Sequence, residues 1–268
     1  MNIVVFYLKD ADLFKIMKQA DFISMLEQIA PPEIANDFDF GRIGLILDLL
    51  YTKNNRIQKA AVALDVTDAV LQKAADFGAD ILICHHTPLF HPITMIPEPL
   101  AKRLKIAFDN NLSIYAMHTN YDNAEGGINT VLADLFSLQE TFMTNYGVIG
   151  TIDPTDSKDF ARLVSKKLDA PLVYAGDKVI QKVMICGGSG LNRHALAIAK
   201  ENGVDAFLSS ELKHSDVLRE RGDMTIIDAG HYATENPGMK NLAKRLRKKL
   251  KGRVEILFID DDPGLISV

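Results

Sequence analysis

The sequence predicts an α/β fold made of two similar halves with mixed sheets. Apolar runs of strand length alternate with helical patterns, the order of those elements repeats once, and histidines gather where predicted strands end. The opening run MNIVVFYL, broken at Lys9 and Asp10, reads as a short strand; it lacks the basic flank and long apolar stretch of a signal peptide. Lys59–Leu64 reads as the next strand. Thr67 then caps a helix carrying Val70, Leu71, Ala74 and Ala75, which Gly78 stops. Asp80–Cys84 is a strand, Pro97–Asn111 carries a helix, and Leu112–Met117 is a strand again. Val183–Cys186, Ala206–Leu208, Thr225–Asp228 and Val254–Ile259 are the later strands. The final helix is expected from Asn236 or Pro237 to Leu250, because Leu242, Leu246 and Leu250 recur every four residues, basic residues crowd its last turn and Gly252 ends it.

The repeat sets LQKAADFGADILICHH and NNLSIYAMHTNYDN against LAIAKENGVDAFLSSELKH and GDMTIIDAGHYATEN. Each copy gives helix, Gly-x-Asp turn, strand with a polar cluster, helix and strand, then a His four positions before an acid. The rhythm changes at NYGVIGTIDPTD, which divides the chain into residues 1–140 and 141–268.

The 268 residues include 47% hydrophobic and 24% charged side chains, which excludes a disordered or collagen-like chain. Thirty Lys and Arg against 35 Asp and Glu leave a net charge of −5, so broad attraction to nucleic acid or an anionic membrane is not expected. No apolar run reaches the length of about 18 residues that a membrane span needs. Two distant cysteines, Cys84 and Cys186, make no disulfide framework; a reducing cytoplasm is the expected location.

Five of the seven histidines, His85, His86, His118, His214 and His231, fall at or just beyond strand C-termini, the edge where open α/β sheets bind ligands. His85 and His86 are adjacent, His118 precedes Asp122 by four, and His231 precedes Glu235 by four. A single histidine is ordinarily a satisfied polar residue; this ensemble reads as a metal site. Imidazoles with carboxylates bind Zn²⁺, Mn²⁺, Fe²⁺ or Ni²⁺, and a carboxylate can bridge two ions. The donors exceed the needs of one ion, so two divalent ions per subunit are expected, with the longer arm of Glu235 as the bridge.

ICHHTPLF, AMHTNYDNAEGGINTVLA, the CGGSG turn, ELKH and DAGHYATENPGMKNLAKRL, in this order, resemble the Nif-three-like family, whose members are often called GTP cyclohydrolase I type-2 homologues. The resemblance implies that His85, His86, Asp122, His231 and Glu235 hold a dinuclear centre. It further implies a two-domain α/β subunit with the metals in the cleft between its halves, and a ring-shaped homohexamer. Thr87 separates the histidine pair from Pro88, Ser210 replaces a glycine before ELKH, and Asn36–Arg42 departs from the family's Asp-Asn-Val-Gly-Leu element.

Cys84 reads as a small core residue rather than a further ligand. The Gly187-Gly188-Ser189-Gly190 turn could cradle phosphate, but lacks the Lys-Ser/Thr of a P-loop and reads first as a tight turn. His91 and His194 read as surface or second-layer residues, and the basic run Lys244–Arg253 as a solvated helix end. Two function classes follow. The first is a metal-dependent hydrolase acting on a nucleotide-like small molecule, with His118 and His214 as acid/base or outer groups and Lys213 and Tyr232 near substrate. The second is a non-catalytic metal-binding adaptor or metal-handling ring.

Overall fold

A computed structural model describes residues 17–220 and 222–264; the expected N-terminal strand at Met1–Leu8 lies outside them. The chain opens with β1 (Met17–Lys18), α1 (Gln19–Ile29), β2 (Gly44–Leu47), β3 (Arg56–Ile57) and β4 (Lys59–Ala63). It continues through α2 (Asp68–Phe77), β5 (Ile81–Cys84), α3 (Glu98–Asp109), β6 (Ser113–Ala116), α4 (Thr119–Asp122) and α5 (Ile128–Leu135). The second half holds β7 (Gln139–Thr144), β8 (Gly147–Asp156), α6 (Ser157–Leu168), β9 (Val173–Ala175), β10 (Val179–Ile185) and α7 (Arg193–Glu201). It ends with β11 (Ala206–Ser209), α8 (His214–Glu220), β12 (Thr225–Asp228), α9 (His231–Lys249) and β13 (Glu255–Phe258). Among the described residues, no helix is long and apolar enough to cross a membrane.

Two mixed sheets dominate, ordered β13-β4-β5-β6-β2 and β7-β8-β10-β11-β12-β9. The parallel trio β4-β5-β6 matches β10-β11-β12, and each trio gains an antiparallel neighbour at its far edge, β2 on β6 and β9 on β12. Side-chain detail repeats too. Asp80 accepts from the N–H groups of Gln58 (2.7 Å) and Lys59 (3.0 Å), as Asp205 does from Gln181 (3.0 Å) and Lys182 (2.8 Å). Lys59 Nζ donates to Phe77 O at 3.1 Å and Lys182 Nζ to Asn202 O at 2.9 Å. The Gly-x-Asp turns are therefore equivalent stitches between a helix end and the next strand.

Strand alternation builds the layers. Ala60, Val62, Ile81 and Ile83 face a core shared with Val183, Ile185, Ala206 and Leu208 of the other sheet and with buried residues of α1, α5 and α9. Ala61, Ala63, Leu82 and Cys84 point the other way, under α2; Met184, Phe207 and Ile226 do the same under α7. Cys84 is thus a fully buried core residue on the face away from the shared core. α2 follows its expected signals, with Thr67 Oγ1 accepting from Val70 N at 3.1 Å and Gly78 closing it at φ 73°.

One expectation needs revision. The last helix begins at His231, not near Asn236, and carries Pro237 inside it. Proline removes one N–H and crowds the preceding turn, yet α9 runs on through it, and Gly238 beside it packs directly on Ile128, where a Cβ would lie 2.5 Å from Cγ1. The chain's last strand, β13, pairs in parallel with β4 and extends the first sheet.

Candidate metal centre

The centre forms where β5, β6 and β12 end. His85 and His86 follow β5; both backbone N–H groups bond Leu64 O at 3.0 Å, holding the adjacent residues at the strand end. His118 follows β6 and caps α4, which ends at Asp122. His231 opens α9, and Glu235 stands one turn later on the same face. By sheet register the equivalence is offset: Met117 N bonds Cys84 O and Ala229 N bonds Ser209 O, so Gly230, not His231, matches His118.

Each imidazole is held by its Nδ1. His85 Nδ1 donates to Met117 O at 2.8 Å, and the carbonyl, which can only accept, fixes the hydrogen there. His86 Nδ1 meets Asp65 at 2.8 Å, His231 Nδ1 meets Glu211 at 2.6 Å, and His118 Nδ1 lies 2.9 Å from both oxygens of Asp39. In the neutral rings this leaves four Nε2 lone pairs. Such outer partners orient metal-binding histidines and raise their basicity.

Those lone pairs converge with two acids. One ligand atom each from His86, His231 and Glu235 lie within 4.8 Å of one another, as do those of His85, Asp122 and Glu235. His86 Nε2 and His231 Nε2 are 3.3 Å apart and lie 3.2 Å and 3.0 Å from Glu235 Oε2. Ligands sharing one ion at bonds of about 2.1 Å stand about 3.0–3.4 Å apart in ordinary geometries. His85 Nε2 stands 3.6 Å from both Asp122 Oδ1 and Glu235 Oε1. Glu235 therefore offers a different oxygen to each set. His85 Nε2, Asp122 Oδ1 and Glu235 Oε2 are buried without hydrogen-bond partners, a costly arrangement that a cation relieves. The residues fit a pair of divalent ions.

The charges agree. Burial raises Asp122 well above the usual carboxylate range, helped by the neighbouring charge of Glu235. Burial acts the same way on Glu235, but the close imidazoles of His85, His231 and His86 prevail and hold it well below that range. Burial pulls His85 down to about 4, so it is neutral and ready to donate a lone pair. Burial opposes protonation of His86 and His231 as well; there the carboxylates outweigh it and push the rings up to about 10 and about 9.

A cavity of about 450 Å³ opens beside the cluster, lined by His86, His118, Asp122, His231 and Glu235 and faced by Phe38, Phe90 and Tyr146. The glycine turn after β10 serves Glu235 rather than phosphate. Three of its N–H groups are taken, Gly187 by Asn129 Oδ1, Gly188 by Thr234 Oγ1 and Gly190 by Ser209 Oγ. A Cβ on Gly188 would lie 1.9 Å from Glu235 Oε1.

The structure thus gathers His85, His86, His118, Asp122, His231 and Glu235, and leaves out His214. That residue starts α8 and is exposed, as is Lys213. The chain turns at Glu211, whose φ of 59° is left-handed, so the acid of ELKH faces His231 while Lys213 and His214 lie beyond the turn. Tyr232 hydrogen-bonds Asp260 and Asn236 instead of lining the cavity. Asp39, Asp65 and Glu211 were not expected at the site. Asp39, fully buried, also accepts from Thr119 N at 3.0 Å and Oγ1 at 2.5 Å; hydrogen bonds from His118 and Thr119 overcome its burial and lower its pKa. It lies inside Asn36–Arg42, where the family's Asp-Asn element was the available clue.

The profile of the Duf34/NIF3 (NGG1p interacting factor 3) family matches residues 17–263. A GTP cyclohydrolase 1 type 2 homolog from Methanocaldococcus jannaschii is 31% identical over 252 residues, covering 91% of this chain and 100% of that protein. A protein of the same name from Pyrococcus abyssi is 32% identical over 222 residues, covering 78% and 86%. Reduced HcgD from M. jannaschii superposes with a TM-score of 0.80 at 29% identity, over 91% of this chain and 98% of that one. A Bacillus cereus protein related to NIF3 shares the fold at a TM-score of 0.84 and 20% identity, over 94% and 100%. With its two mixed sheets and clustered histidines and acids, the chain belongs to the Duf34/NIF3 family.

Proposed function

We propose that the protein holds two divalent transition-metal ions, one on His86, His231 and Glu235 and the other on His85, Asp122 and Glu235, and uses them to hydrolyse a nucleotide-like small molecule. The observation that carries this reading is the set of Nδ1-anchored imidazoles whose free nitrogens converge with two buried, partnerless carboxylate oxygens beside an open cavity. Ions held there supply polarisation of the bond under attack and activation of water near neutral pH. The chain supplies the rest. Glu235 and Asp122 neutralise charge in a buried place, and the rings of Phe38 and Phe90 flank the approach. His118, on the cavity wall with Nδ1 fixed by Asp39, moves a proton at Nε2. The nucleotide-like substrate rests on the relatives' name, GTP cyclohydrolase 1 type 2 homolog.

The test is to load metal-free protein with Zn²⁺, Mn²⁺, Fe²⁺ or Ni²⁺ and screen nucleotides, phosphoesters and cyclic amides with and without chelator. Turnover that vanishes with chelator and returns with metal supports the hydrolase. Stoichiometric loading without turnover of any of these favours the metal-handling adaptor.

A further inference from the structure

We infer that Asn129 is a substrate-binding residue of the metal cavity, a fixed hydrogen-bond donor for the carbonyl oxygen of a neutral, planar cyclic amide such as the ring of a nucleobase. Asn129 is the second residue of α5 and only 1% exposed, yet it forms part of the cavity wall. Its Oδ1 accepts from Gly187 N at 2.8 Å, and because only the oxygen can accept from an N–H, that bond fixes which way the amide points. Nδ2 has no partner among the described residues, and unlike Asp122 Oδ1 and Glu235 Oε2 it is not sealed away; it opens on the cavity. The helix that carries it is wedged in place: a Cβ on Gly187 would lie 2.4 Å from Ile128 Cγ2, and one on Gly238 2.5 Å from Ile128 Cγ1. Gly187 also backs Glu235, with that same Cβ 3.4 Å from Glu235 Cγ, so the donor stands beside the candidate ligands.

An amide nitrogen can only donate, so the group it meets is an acceptor. Among the described residues, neither Lys nor Arg lines this cavity, and phosphate is ordinarily held by such cations. Phe38, Phe90 and Tyr146 supply aromatic surface instead, with Tyr146 backed by the core under α7. Flat, neutral rings suit such walls. The inference rests on the hydrolase reading and narrows it: the base end of a nucleotide-like molecule, not its phosphates, enters the cavity. Hydrolysis of a cyclic amide gives the OH of water to the carbonyl carbon and its remaining hydrogen to the nitrogen released as the C–N bond breaks. Asn129 holds the oxygen on which negative charge gathers meanwhile.

The test titrates full-length protein, reconstituted with Zn²⁺, with uracil, followed by saturation-transfer difference NMR, and with inorganic phosphate, followed by line broadening in phosphorus NMR. Asn129→Asp keeps an acceptor for Gly187 N–H and removes the donor; Asn129→Leu, neutral and of similar size, takes its place if the acid alters folding or metal content. Wild-type protein is expected to bind uracil more tightly than phosphate, and the variant to keep its metal content while binding uracil about tenfold or more weakly. Unchanged uracil binding in the variant overturns the assignment. So does loss of metal in both variants, which would make Asn129 a peg for the turn behind Glu235, and so does wild-type protein that binds phosphate better than uracil. Ions retained without uracil binding leave the metal centre standing and sink the subsite. Uracil binding that depends on Asn129 in protein that retains no metal keeps the subsite and removes the metal-dependent hydrolysis.

Discussion

At the scale of single residues, Glu235 and Asp122 divide the work unequally. Glu235 presents Oε2 to His86 and His231 and Oε1 to His85, so Glu235→Gln should remove one or both ions and any turnover, read by elemental analysis and assay. Asp122 serves one set, so Asp122→Asn should lower occupancy without emptying the centre. Glu211→Gln and Asp65→Asn leave the ligands in place but loosen their orientation, and should weaken metal binding about 10–100-fold in competition titrations. Protons compete as well. His86 and His231 titrate near 10 and 9 in the protein, against 6.5 for an ordinary imidazole. Their charged forms stabilise the metal-free fold fully below pH 6.5, and that contribution fades as pH rises through about 9 to 10. Metal needs the deprotonated rings, so affinity should rise across the same window with proton release on binding, measured by calorimetry in buffers of different ionisation enthalpy. A flat profile would contradict the imidazole assignment. The clustering of His85, His86, Asp122, His231 and Glu235 is legible in the sequence because each sits at a motif beside a strand end. Asp39 was not: it lies 79 positions from His118, in a short turn with no periodicity, where only folding brings the pair together.

Elements place these groups by close backbone approach. The turn after β10 runs under α9 only because Gly188 has no side chain; its φ is 61° and an added Cβ would strike Glu235 Oε1 at 1.9 Å. Gly188→Ala should therefore reduce metal affinity about tenfold or more as well as stability. Gly203→Ala is the control, with φ 63° and open space around the Cβ; it should lose roughly 1 kcal/mol of stability and no affinity. Equal affinity in the two variants would show that the turn is not what seats Glu235. Strands and the α2 helix were readable because alternation, caps and Gly-x-Asp turns act locally. The start of α9 was not, because Pro237 looks like a boundary, whereas the helix begins at His231 and passes through it.

In the whole molecule, the two halves bring unlike candidate ligands to one place: His85, His86 and Asp122 from the first, His231 and Glu235 from the second. The sequence repeat revealed the similarity of the halves. It could not reveal that β13 crosses back to β4, because one four-residue strand pairs as readily with either sheet. That crossing ties α9, and with it Glu235, to the first sheet. We further propose a closed homohexamer, for which light scattering should return about six times the 29.7 kDa subunit mass; a monomer at working concentration would refute it. The central claim is that two ions share Glu235. It is tested most directly by metal analysis of wild-type and Glu235→Gln protein, purified alike, reconstituted with excess Zn²⁺ or Mn²⁺ and desalted. About two ions per wild-type subunit and one or none in the variant is the expected result. Wild-type protein that retains no metal, or a variant that retains two with unchanged affinity, would contradict it.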